Sequence, residues 1–150
     1  MEQKMAGFTN KGKYRLIETL RGVSLPTNFY AALCTSATAP DADTNTLSQL
    51  TQISGNGYTA GGISLTKNTT DFSAIVEDDG NDDSELTLKD LTWTASGGTL
   101  GAARYLVITD DNATEGDREV WFYFDLGSDQ SVSDGQDLTV SGFKFKLAES

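Results

Sequence analysis

The chain contains no histidine, and that absence narrows its chemistry before any motif is sought. Without imidazole there is no usual general base, no commonest metal ligand and no Ser-His or Cys-His nucleophile pair. Catalysis would have to rest on paired carboxylates, a lysine, a tyrosine or a cofactor loop. Cysteine is nearly as scarce. Cys34 is the one thiol, so an intrachain disulfide and a thiolate zinc cluster are both excluded. It ends the apolar run Phe29-Tyr30-Ala31-Ala32-Leu33-Cys34, where a small core residue is expected. No stretch is long enough to span a bilayer, and Met1-Glu2-Gln3-Lys4-Met5-Ala6-Gly7 lacks an apolar signal region, so folding in a cytoplasm is expected. Positive charge is short as well. Eleven basic residues face 22 acidic ones, and a net charge of −11 repels phosphate backbones and anionic membrane surfaces alike. Neither nucleic acid nor membrane is expected as a partner.

What is present points to strands. The 150 residues make one domain, and a 37% hydrophobic content with abundant Gly and Thr favours a turn-rich β architecture over a helical bundle. Residues 1–10 read as a flexible polar arm, and residues 11–150 as a single domain opened by a helix. Over residues 11–21, Tyr14, Ile17 and Leu20, with Leu16, fall at helical spacing and predict an amphipathic helix. Gly22 then supplies the C′ position and Arg21 suits the negative end of the helix dipole.

Downstream the period changes. Residues 28–35 predict a buried strand, 36–45 a surface loop, and Leu47, Leu50 and Ile53 a helical turn or two behind Thr44 to Thr46 as caps. Ile63 and Leu65 alternate. Leu86 and Leu88 alternate too, and the phase break at Lys89-Asp90 before Leu91 and Trp93 predicts a bulge. Residues 105–109 and 120–124 read as core strands around a polar loop. The Asp134-Gly135 turn precedes the last pair, 138–140 and 143–147. The expected fold is mainly β: an antiparallel β-sandwich or jelly-roll-like barrel with one short N-terminal helix.

Candidate chemistry fails motif by motif. Glu77-Asp78-Asp79-Gly80-Asn81-Asp82-Asp83 has oxygen ligands for calcium but not the D-x-D-x-D-G register of an EF-hand. A cation site, a solvated loop tip and an acidic contact for a basic partner all remain open for it. Ser64-Leu65-Thr66-Lys67 matches S-x-x-K, yet it falls on a strand, without the S-D-N and K-T-G partners. Carboxylate pairs for glycoside hydrolysis sit in turns, and Trp93 and Trp121 fall in phase with core neighbours. No catalytic residue and no cofactor is expected.

The order of segments is itself informative. A helix precedes Thr27-Asn28-Phe29-Tyr30-Ala31-Ala32-Leu33-Cys34-Thr35 and an Ala-Pro-Asp loop, and a Gly57-Tyr58-Thr59-Ala60-Gly61-Gly62 elbow follows. Then come Leu91-Thr92-Trp93-Thr94-Ala95, Ala103-Arg104-Tyr105-Leu106-Val107-Ile108 and the Ser133-Asp134-Gly135-Gln136 turn. From about Lys11 to Leu147 this resembles a family of small β-sandwich structural proteins of tailed bacteriophages, whose members are labelled tail fibre, minor structural or head-decoration proteins. The resemblance implies a virion component held in several copies by protein–protein contacts, with no catalytic residues to carry over. The lack of a repetitive shaft favours a decoration or cement protein on the head, bound to the major capsid protein or other virion proteins, as a homo-oligomer or multi-copy assembly. A tail, collar or head-fibre component, as a receptor- or carbohydrate-binding module, is the competing expectation, and a histidine-free glycosidase the remote one. The expected partner contacts are Lys4, Phe8, Lys11, Lys13 and Arg15 of the arm and helix, Asp41 and Asp43 of the 36–45 loop, and Asp78, Asp79, Asp82 and Asp83 of the acidic loop. The basic residues of the helix equally fit an ordinary solvated face.

Overall fold

The structure is a computed structural model that describes residues 5–148. Its strands are β1 (Met5–Phe8), β2 (Asn28–Cys34), β3 (Ile63–Thr66), β4 (Phe72–Asp78), β5 (Asp83–Leu88), β6 (Leu91–Thr94), β7 (Leu100–Thr109), β8 (Val120–Val132), β9 (Asp137–Val140) and β10 (Lys144–Ala148). One α-helix, α1 (Asn10–Glu18), runs on into a 3-10 turn at Thr19–Arg21 and stops at Gly22, whose φ of 85° is the left-handed conformation expected of a C′ glycine. A five-stranded antiparallel sheet in the order β1-β8-β7-β2-β3 forms one layer; β10-β5-β4 and β6-β9 form two smaller sheets. The mainly β expectation holds.

The layers meet through aromatic rings. Phe122 stacks on Phe145 at 4.7 Å and Phe29 meets Phe72 edge-on at 5.7 Å, linking the large sheet to the three-stranded one. Trp93, Leu138 and Val140 of the β6-β9 pair join the same core as Leu33, Leu106 and Phe124. Along β2 the side chains alternate between two compartments. Phe29, Ala31 and Leu33 enter the main core, while Ala32 and Cys34 enter a second one with Val107, Val120, Leu47 and Leu50. The 40–50 segment therefore roofs the outer face of the large sheet. Its short 3-10 turn, Leu47–Gln49, is held by a capping box between Thr46 and Gln49, and burying Leu47 and Leu50 stabilises this lid by about 2 kcal/mol each.

Cys34 is fully buried there, and desolvation pushes its thiol up to about 12. It should resist thiol reagents in the native protein at pH 8 and react fully once the chain is unfolded. Rapid labelling without denaturant would contradict this burial.

Two expectations need correction. The arm is not free over its second half, since β1 pairs with β8 from Met5 opposite Asp125 to Phe8 opposite Phe122. Residues 1–4 of the arm, Lys4 included, lie outside the described residues. The phase break at Lys89-Asp90 is not a bulge but a change of sheet: β5 belongs with β4 and β10, β6 with β9. A bulge does occur elsewhere. Pairing passes from Ile108 opposite Phe122 to Thr109 opposite Val120, which leaves Trp121 as the extra residue and turns both Trp121 and Phe122 into the main core.

The amphipathic helix α1 does not bury its apolar stripe as such helices ordinarily do: Tyr14 is 55%, Ile17 63% and Leu20 86% exposed. The helix is seated by its smallest residue instead. Gly12 is its one buried position, and a Cβ built there would lie 2.4 Å from the Trp121 carbonyl oxygen and 2.8 Å from the Trp121 Cα. Thr9 locks this seat. Its hydroxyl accepts from Gly12 N–H at 2.9 Å as an N-cap and donates to the Val120 carbonyl at 2.5 Å, and its own N–H bonds the Trp121 carbonyl at 3.0 Å.

Candidate interaction surface

The expected contact residues fall into three places. Lys11 and Arg15 are turned toward the start of β8. Arg15 donates from Nε and Nη2 to the two Glu119 oxygens at 2.7 and 2.8 Å and from Nη1 to Glu18 at 2.7 Å, while Lys11 lies 3.9 Å from Glu119. These pairs raise the Arg15 guanidinium and hold Glu18 below the usual carboxylate range. Their role is to fasten the helix to the sheet, which leaves Lys13 and Arg21 as the exposed basic groups of this segment. Phe8 packs its ring at 4.7 Å on Phe145 and is half-buried, on the lining of the apolar groove between α1 and the three-stranded sheet.

Asp41 and Asp43 are exposed, and the fold brings their loop to the head of the helix. Asn10 N–H donates to the Ala42 carbonyl at 2.7 Å, and its side-chain amide donates to Asp43 at 2.9 Å. Asp41 accepts from Asp43 N–H and shapes the turn.

Asp78, Asp79, Asp82 and Asp83 sit at the tip of the β4–β5 hairpin. Asp78 accepts from Asn81 and Gly80 and is held low chiefly by the Asn81 side chain. Asp83 and Glu85 bond Lys146 at 3.0 and 3.2 Å, and Lys144 also reaches Glu85. Among the described residues no three metal-ligating side chains converge, at this tip or elsewhere.

Between α1 and the three-stranded sheet the sandwich stays open. A groove of about 500 Å³ has Phe29, Phe122, Phe145 and Trp121 in its floor. Leu16 and Leu25 form one bank; Ile75, Leu86 and Leu147 form the other. Pairing places Phe145, Leu86 and Ile75 side by side across β10, β5 and β4, so one apolar face of this sheet runs into the groove. Ile75 is 80% exposed. On the outer surface of the helix bank, Ile17 and Leu20 extend the apolar surface beyond the groove.

A second, smaller cavity of about 240 Å³ is polar, lined by Arg15, Asp110, Asp111, Glu119 and Trp121. Its carboxylates already have work. Asp110 accepts from Glu119 N–H, Asp111 accepts from Asn28 N–H, and Glu119 holds Arg15. Burial raises the Asp110 carboxyl above its ordinary value. Both tryptophans are buried at 5% exposure.

Comparison with protein-family models, with curated proteins and with solved structures found no match to this chain. The surface must therefore be read from its own chemistry. Of its apolar members the sequence reading named only Phe8 as a contact. Leu16 and Leu20 were visible at helical spacing, but spacing alone does not say which way they face. Ile75 and Val76, just before the acidic run, gave no sign that a strand there would be left uncovered.

Proposed function

We propose that this chain is a structural protein of a bacteriophage virion, a decoration or cement protein that binds the head at joints between major capsid subunits and acts without catalysis. The observation that carries the reading is the uncovered apolar groove beside the exposed stripe of α1. Soluble monomers rarely keep such a patch unless something docks on it. The segment resemblance supplies the setting, and repeated binding at equivalent sites turns a modest contact into a large total. Added contacts between subunits raise the cost of rupturing a shell under internal pressure.

The competing placement on a tail, collar or head fibre has less support as a sugar-binding module, because Trp93 and Trp121 are buried and offer no stacking platform. Antibody labelling and electron microscopy of purified particles test the assignment. Regular label over the head is the expected result. Label confined to the tail would move the protein to the competing placement, and its absence from particles would overturn the virion reading.

A further inference from the structure

We propose that the groove and helix α1 form a two-fold interface between two copies of this chain, which deepens the multi-copy role proposed above. The groove lining itself carries only Lys67 and Glu85 as charged residues, and the segments that flank it differ in charge. On one side, residues 10–21 carry Lys11, Lys13, Arg15 and Arg21 against the single acid Glu18. On the other, the β4–β5 hairpin carries Glu77, Asp78, Asp79, Asp82, Asp83 and Glu85. The Arg15 and Lys11 charges are spent within the copy on Glu119, and Asp83 and Glu85 on Lys146. That leaves exposed Lys13 and Arg21 on the basic segment and exposed Glu77, Asp79 and Asp82 on the acidic segment.

A two-fold axis through the groove sets the basic segment of each copy on the acidic segment of the other. The same operation lays Ile17 and Leu20 of each copy over the partner's open sheet face at Ile75 and Leu147, where all four are exposed in the single chain. The apolar anchors and the charges thus become complementary through one rotation. A copy also has reason to be covered here, because Ile75 stands 80% exposed on the sheet face that runs into the groove. With a net charge of −11, copies repel at long range, so the opposed segments decide which faces meet.

Sedimentation equilibrium of the full chain, at about 0.15 M salt and roughly 1–100 µM protein, tests the interface. The expected mass is twice the 16.1 kDa of the chain. Leu20→Glu should weaken the dimer by about 100-fold or more while leaving the thermal melt of the subunit intact, since Leu20 touches solvent and not the core. Lys13→Glu with Arg21→Glu should weaken it about tenfold, and adding Glu77→Lys with Asp79→Lys should restore it. A monomer at every concentration, a dimer indifferent to Leu20→Glu, or a charge swap without rescue would overturn the proposal. A monomer that still decorates purified particles would remove the dimer, give the groove to another virion protein and leave the virion role standing. A Leu20-dependent dimer absent from particles would support the interface and overturn the role.

Discussion

Gly12→Ala should destabilise the protein by about 3 kcal/mol, although the same change in the middle of an exposed helix is stabilising by about 1 kcal/mol. The sign is decided by what the new methyl group meets. Its Cβ would stand 2.4 Å from the Trp121 carbonyl oxygen, 2.8 Å from the Trp121 Cα and 2.9 Å from the Phe8 ring. Two of those atoms are backbone of β8, the strand held between β1 and β7, so neither can step aside as a flexible side chain would. The helix has to lift instead. Lifting stretches the Thr9 bonds to Val120 and Trp121 and the Arg15 pair with Glu119. Urea unfolding of the wild type and the variant measures the loss as a lower midpoint at unchanged slope. A variant as stable as the wild type would show that α1 is not seated through Gly12.

Asp71→Ala should cost a similar amount, about 3 kcal/mol, and should also flatten the acid limb of the stability profile. Asp71 is buried, and its carboxylate receives Lys89 Nζ at 2.7 Å and Thr66 N–H at 2.7 Å, while its carbonyl accepts Lys89 N–H at 2.9 Å. It thereby ties the turn after β3 to the point where the chain leaves the three-stranded sheet. Removal of the carboxylate leaves the Thr66 N–H and the ammonium without their acceptor. The Lys89 ammonium beside it, more than any other influence, holds the Asp71 carboxyl below the usual carboxylate range. A carboxyl lowered in the folded state contributes stability that is whole above the unfolded value, about 3.9, and is lost as pH falls through the folded one. The difference in unfolding free energy between wild type and Asp71→Asn should therefore be constant near neutral pH and shrink on acidification below about pH 4. A difference that does not change with pH would mean the pair contributes nothing through its charge.

Much of the fold was legible because it depends on local rules. Apolar runs at 28–34 and 120–124 and alternating apolar residues at 63–66 and 138–140 place strands, and Gly22 and the Asp134-Gly135 turn end their segments where left-handed or turn backbone is needed. Burial of Cys34, Trp93 and Trp121 followed from their apolar or in-phase neighbours. The site was legible only in outline. The basic helix and the acidic hairpin tip could be named from charge runs, but Arg15, Lys11, Asp78 and Asp83 turned out to be engaged within the subunit.

The acidic β character of the chain, its lack of imidazole and thiol chemistry and its antiparallel layering were set by composition and by a side-chain period of two. Those properties need no knowledge of distant partners. The direction in which the Tyr14, Ile17 and Leu20 stripe points is another matter. A period of 3.6 says that a helix has an apolar face, not which way the face is turned. That rotation is set by Thr9 and Gly12 meeting the backbone of Val120 and Trp121, more than a hundred residues away along the chain. The same distant contact turns the stripe to the solvent beside an open groove, and only the tertiary structure could place it there.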